Sequence, residues 1–378
     1  MGYTWIQQNI VGESFNNIKI SSDGSTLIAV SIFNLYIGIN PVDGQYTYIS
    51  QKNGIWENYS RFPDFRCIAS TSNGSTLLIS SSGSEKNVYV GINPDTSGTY
   101  TWVNQTSLAS NNWRCGALNE SGSIAVVADD TFIRVGTNLD ASGTYVWLKQ
   151  PVGLNDYVLA ASNSDGSRLF VCNIDTICVG INPVDGLYTW IQQADISIEF
   201  KSIASNSSGL ILAVISVNQV YVGINPDAYD KYTWVQQDFS YFNLRNVTWI
   251  SISIDASGST IILISNRDVY IGNNPVNGVY TWIHQDISGG GFSMISSSSD
   301  GFTVALADYD NAVLYIGKTT TTTTLPTTTT TLPTTTTTLP TTTTLPTTTT
   351  LPTTTTLPTT TTLPTTTTLP TTTTLPTT

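Results

Sequence analysis

The chain has 378 residues, with 14 basic against 26 acidic side chains and a single histidine, for a formal net charge of −12. Every charge, cysteine and aromatic ring lies in residues 1–318, whereas residues 319–378 contain only Thr, Leu and Pro. The absence of a basic cluster to neutralise phosphates excludes a nucleic-acid partner, and without a run of about 18 apolar residues no transmembrane segment is expected.

The first recurring segment is Tyr3–Gln8, YTWIQQ, and its copies lie at 46–51, 100–105, 145–150, 188–193, 232–237 and 280–285. Ahead of each later copy, and once more near residue 318, stands an aliphatic residue followed by Gly38, Gly91, Gly136, Gly180, Gly223, Gly272 or Gly317, so the steps are 53, 45, 44, 43, 49 and 45 residues. A second block, seen in Ile18–Val30, reads as strand, tight turn and strand, with turn glycines at 24, 74, 122, 166, 209, 258 and 301. A period of this length with four short strands per unit predicts an all-β, seven-bladed β-propeller over residues 1–318.

For blade 1 the predicted strands A to D are Ile18–Ser22, Thr26–Ser31, Leu35–Ile39 and Tyr46–Ser50. For blade 7 the chain end supplies A, B and C near 293–297, 303–307 and 312–316, leaving Tyr3–Gln8 as the fourth strand. Such closure ties both ends of the head together and removes an exposed edge. The repeated Trp reads as packing over the crevice between blades with its indole N–H at the wet edge. Trp249, at a strand start, also reads as packing. Trp56 and Trp113 fall in loops between blades and are the candidates for a binding face. The longer steps carry aromatic inserts, among them Phe65, Phe239, Tyr241 and Phe242, which either seal the ring or contact a partner.

The architecture resembles the WD-repeat and sialidase-like propellers. Where a WD repeat ends its third strand on Trp-Asp, this chain has Ile37-Gly38, Val90-Gly91 and Val179-Gly180. The segment Asn182–Trp190 resembles the Asp-box hairpin of sialidases, with Gly186 directly after Asp185. A sialidase-like activity implies an arginine cluster, and Arg66 and Arg114 occupy one inner-strand register without a third arginine.

Reactive chemistry is sparse. His284 is the only histidine and reads as an edge residue, so a histidine triad or multi-histidine zinc site is not expected. Asp129, Asp130, Asp308 and Asp310 read as solvated turns in preference to a calcium site. No cofactor or metal is expected, and the chain reads as non-enzymatic. Cys172 and Cys178 flank one hairpin, while Cys67 and Cys115 occupy equivalent positions in neighbouring blades; each pair is a candidate disulfide, with buried thiols the alternative. N-glycosylation sequons begin at Asn58, Asn73, Asn104, Asn119, Asn206 and Asn246.

In the tail, Leu-Pro pairs interrupt runs of threonine, and the last proline steps are uniformly six residues. Proline and β-branched threonine both favour extension, so the tract is expected to be a polyproline-II-like stalk spanning roughly 190 Å at about 3.1 Å per residue. A six-residue period aligns the leucines and prolines as stripes and leaves hydroxyls on the other faces. The tract resembles mucin-like stalks and Thr/Pro-repeat glycofibrils. That resemblance implies O-glycans on its threonines, with candidate sites in each unit at Thr319, Thr324, Thr327, Thr334, Thr341, Thr347, Thr353, Thr359, Thr365 and Thr371. Residues 1–9 carry neither the basic nor the apolar region of a secretory leader. The expected role is a structural subunit of an extracellular or cell-surface fibre, cellular or viral, that self-associates into filaments and carries covalent glycans. The alternatives are a carbohydrate-binding adhesin and a secreted glycoside hydrolase.

Overall fold

The computed structural model describes residues 2–319 except 11–12, 32–33, 52–63, 83–85, 94–97, 109–110, 139–141, 154, 194–195, 197–198, 225 and 243–246. Among the described residues, 28 strands form seven four-stranded antiparallel sheets. This is the seven-bladed all-β propeller expected from the repeat.

Blade 1 consists of A (Phe15–Ile20), B (Leu27–Ser31), C (Leu35–Val42) and D (Gln45–Ser50), hydrogen-bonded in that order. Blade 7 takes A (Phe292–Ser297), B (Thr303–Asp308) and C (Val313–Thr319) from the end of the head and D (Tyr3–Gln7) from its start. The register of that closing pair runs from Tyr3↔Thr319 to Gln7↔Tyr315. Strand C of blade 7 therefore continues through Thr319, one residue beyond the expected end of the head.

The B strands are buried along their whole length in blades 1, 4, 6 and 7. Adjacent blades cover both faces, which is why they read as unbroken apolar runs instead of alternating ones. The A–B turns are built alike in all blades. Their seven glycines have φ between 69° and 77°, a region that side-chain-bearing residues avoid. Three residues before each glycine stands Ser21, Thr71, Asn119, Asn163, Asn206, Asp255 or Ser298. Its side-chain oxygen accepts the backbone N–H five residues further on at 2.9–3.0 Å. These turns also bond to one another around the ring. Asp23 donates to Ser72, Ser72 to Glu120, Glu120 to Ser164, Ser164 to Ser207, Ser207 to Ala256, Ala256 to Ser299 and Ser299 to Ser22, all N–H···O=C at 2.7–3.0 Å. The seven bonds form a closed belt.

The Tyr-Thr-Trp strand has a separate role for each position. The tyrosine hydroxyl donates to the carbonyl of the turn glycine in its own blade, Tyr46 to Gly24 and Tyr188 to Gly166 among others. In blades 2 to 7 the tryptophan ring lies against the glycine opposite it on strand C. A Cβ on Gly91, Gly136, Gly180, Gly223, Gly272 or Gly317 would approach the ring to 2.7–3.0 Å, so only glycine leaves room. The glutamine that closes the motif reaches the next blade. Its Oε1 accepts the tyrosine N–H of that blade at 3.0–3.1 Å for Gln8, Gln51, Gln105, Gln150, Gln193, Gln237 and Gln285. For all but Gln285, Nε2 donates to a C–D hairpin carbonyl of that blade at 2.7–3.1 Å.

The indole N–H is not at a wet edge as expected; in Trp147 and Trp190 it donates to the same glutamine oxygen, at 3.2 and 3.3 Å. Trp249 is buried as expected. Phe239 stacks on Trp249 and Trp282 with ring centroids 4.8 Å away in each case, so this insert seals the crevice between blades 5 and 6, and Tyr241 stays exposed.

Candidate functional site

The motif residues brace each blade and clip it to the next, whereas the inner A strands face one another around the centre of the ring. Their side chains line a central cavity of about 320 Å³ reached from every blade. Five residues before each turn glycine, six blades carry a small side chain: Ala69, Ala117, Ala161, Ala204, Ser253 and Ser296. Blade 1 has Lys19 there. The rest of the wall mixes serines with isoleucine and alanine, and several hydroxyls serve the blades themselves: Ser202 accepts the Ile252 N–H and Ser251 the Ile295 N–H of the next blade, and Ser162 donates to the Asn163 carbonyl. At the belt, where the other blades place Ser or Ala, blade 3 places Glu120, which accepts a 3.3 Å hydrogen bond from Ser207.

Lys19 is half-buried and its ammonium makes no hydrogen bond or ion pair among the described residues. Burial lowers its pKa, an effect partly opposed by the neighbouring Cys67. The other cations near the channel are engaged. Arg66 Nε donates to Ser82 at 3.0 Å, Arg114 pairs with Asp130, and Lys201, which shares the register of the two arginines, pairs with Glu199.

The four cysteines are buried free thiols, so neither expected disulfide forms. Cys172 lies opposite Ile177, whereas Cys178 lies opposite Val171, one residue out of step. Adjacent register positions face opposite sides of a sheet, and the two thiols accordingly join different clusters, Cys178 toward blade 3 and Cys172 toward blade 5. Cys67 and Cys115 are equivalent, and for that reason point the same way around the ring. The Cys67 thiol meets the Gly116 carbonyl at 2.9 Å, and Cys115 packs toward blade 4. Burial pushes the Cys67 thiol up to about 12 and Cys178 to about 11, with Cys115 and Cys172 also well above the ordinary range. Such thiols stay protonated and are poor nucleophiles.

Trp113 is no binding-face residue, because it is fully buried between blades 2 and 3 with Arg134 over its ring at 5.9 Å. Trp56 lies outside the described residues. Asn119 and Asn206 are buried turn residues whose side-chain oxygens hold Ile124 and Ile211, so neither can accept a glycan in the folded ring. Their sequons arise because Asn-x-Ser also suits the A–B turn. Asn73 and Asn104 are exposed, and Asn58 and Asn246 lie outside the described residues. Thr319 is paired within the closing sheet, and the remaining candidate threonines lie beyond the described residues. His284 is an edge residue as expected, 3.1 Å from Asp268. Asp129 and Asp308 are not the solvated turn residues expected: both are buried turn caps, the first accepting from Thr131 and Phe132 and the second from Gly290 and Asn311. Among the described residues no group of three or more His, Cys, Asp or Glu is placed to hold a metal ion.

Sequence reasoning missed Lys19 and Glu120. Aligning the seven A strands on their turn glycines exposes both, since each is the only charge in its register.

No protein-family model matches the chain, and no curated protein does either. Among solved structures, the β-propeller domain of Cps50 (Swd1) from Myceliophteria thermophila is similar with a TM-score of 0.61, covering 82% of this chain and 98% of that one at 12% identity. The chain shares its β-propeller fold.

Proposed function

We propose that the protein is a non-enzymatic structural subunit of an extracellular or cell-surface glycosylated fibre, with the propeller as its head and residues 320–378 as an O-glycosylated shaft. The observation that carries this reading is the tract itself: a ring closed by its own first strand is followed directly by a segment of threonine, leucine and proline alone. Such a composition cannot build a core, and its value lies in reach and in hydroxyl groups. The head supports the same reading. Its most repeated residues, Tyr, Trp, Gly and Gln, brace each blade and clip it to the next, so the repeat itself serves the ring and carries no catalytic chemistry. A shaft that docks on the head of another copy makes a heterologous contact, which propagates instead of closing.

The test is glycopeptide mapping of residues 320–378 on native material, with electron microscopy of the full chain and of a chain ending at Thr319. Dense modification, with filaments formed only by the full chain, is expected. A bare tract, or filaments of normal form without it, overturns the reading.

A further inference from the structure

We propose that the central channel binds a small organic anion, in chemical class a hydroxylated monocarboxylate, with the Lys19 ammonium holding its carboxylate. Three observations converge on Lys19. It is the only long side chain in a register that is otherwise Ala or Ser, so the opposite walls leave space in front of it. Its ammonium has no partner among the described residues, whereas Arg66, Arg114 and Lys201 each have one. The cavity it enters, about 320 Å³, falls in the size range of pockets that take small ligands.

A partly desolvated ammonium without a counter-charge is unfavourable, and an anion placed against it relieves that cost while making a charge-assisted hydrogen bond. The rest of the inner wall is neutral apart from Glu120 and the paired Arg66 and Arg114, and mixes apolar side chains with serine and asparagine groups. One ammonium balances one negative charge, which favours a carboxylate over a dianionic phosphate, and the serine and asparagine groups favour a ligand with hydroxyls of its own. Glu120 sets the orientation. It sits in the A–B turn of blade 3, three positions nearer the turn glycine than the Lys19 register, an axial step of at most about 10 Å at strand rise. The carboxylate end is thus drawn to Lys19, and the hydroxyl end faces Glu120 and the belt.

The experiment is calorimetric titration of the full chain with D-glucuronate, with D-glucose as its uncharged twin and with inorganic phosphate. It is repeated on Lys19→Met, Lys19→Gln and Lys19→Arg, each checked for folding by tryptophan fluorescence. Glucuronate should bind one per chain, at least tenfold tighter than glucose. Lys19→Met and Lys19→Gln should each lose at least tenfold, and Lys19→Arg should keep part of the affinity. No binding of glucuronate at tens of millimolar, equal binding of glucose, or unchanged affinity in a folded neutral variant overturns the proposal. Phosphate binding tighter than glucuronate, with the same dependence on Lys19, overturns the assignment to a carboxylate.

Discussion

Replacing Gln150 with leucine tests the glutamine clips as the bonds that hold blade to blade. Gln150 is 2% exposed, and its Nε2 donates to Gly186 at 3.0 Å and to Leu148 at 3.2 Å. Its Oε1 accepts the Tyr188 N–H at 3.0 Å and the Trp190 indole N–H at 3.3 Å. Leucine keeps most of the volume and removes all four bonds. Three of the groups left behind, the Tyr188 N–H, the Gly186 carbonyl and the Trp190 indole N–H, belong to the next blade, and the first two are main-chain groups that lose their clip. A buried polar group left unsatisfied costs about 1–3 kcal/mol, so the expected loss is about 2–6 kcal/mol. Urea unfolding followed by tryptophan fluorescence measures it, and amide exchange at Tyr188 localises it, since that N–H should lose protection first. Leu148→Ala, a truncation in the same strand that keeps the clip, controls for packing. A midpoint for Gln150→Leu within about 0.5 kcal/mol of the parent, with Tyr188 still protected, would falsify the role assigned to the clips.

The seven hydroxyl-donating tyrosines should resist ionisation. Burial raises Tyr100, Tyr188 and Tyr232 to about 12, and Tyr3, Tyr46, Tyr145 and Tyr280 higher still. Because the folded values lie above the ordinary 10.0, this stability is complete below pH 10 and is lost as pH rises through the folded values. Tyrosinate absorbance should therefore show these phenols ionising together with unfolding; independent titration near pH 10 in an intact ring refutes it. Gly180→Ala drives a Cβ to 2.9 Å from the Trp190 ring and should cost about 1–3 kcal/mol in thermal or urea unfolding. Lys19→Met should stabilise the ligand-free ring. The lowered Lys19 pKa means that the folded state disfavours the ammonium at neutral pH, so the gain should shrink as pH rises toward the ordinary 10.5. All four thiols should be inert to a disulfide reagent in the native protein and react after denaturation, and an unreactive denatured chain would indicate bridges after all.

The propeller was legible because its repeat is carried by residues with strict local demands. A turn needing positive φ admits little but glycine, and a tryptophan lying on the opposite strand excludes a Cβ. Strand C of blade 1 was expected at Leu35–Ile39 and runs to Val42, because the Pro41-Val42 hairpin arm continues pairing across a bulge. The choice between disulfides and buried thiols stayed open in the sequence because distance to a turn gives the register of a cysteine but not the direction it faces around a ring. Trp113 was misplaced for a related reason. A loop position suggests exposure, yet between two blades a loop residue can fill the seam. The channel was illegible in any single A strand, since a lone Lys among polar residues carries no signal until seven copies are aligned.

The closing sheet also decides how the head meets mechanical load. The chain leaves it at Thr319, the last residue of a strand that has Tyr3–Gln7 on one side and Thr303–Asp308 on the other. A pull on the tract along that strand loads both ladders in shear, where many hydrogen bonds must fail together, whereas an edge strand could peel away one bond at a time. Tension applied at Thr319 is thereby shared with Tyr3–Gln7 and Thr303–Asp308, because the residue ends an inner strand of the blade.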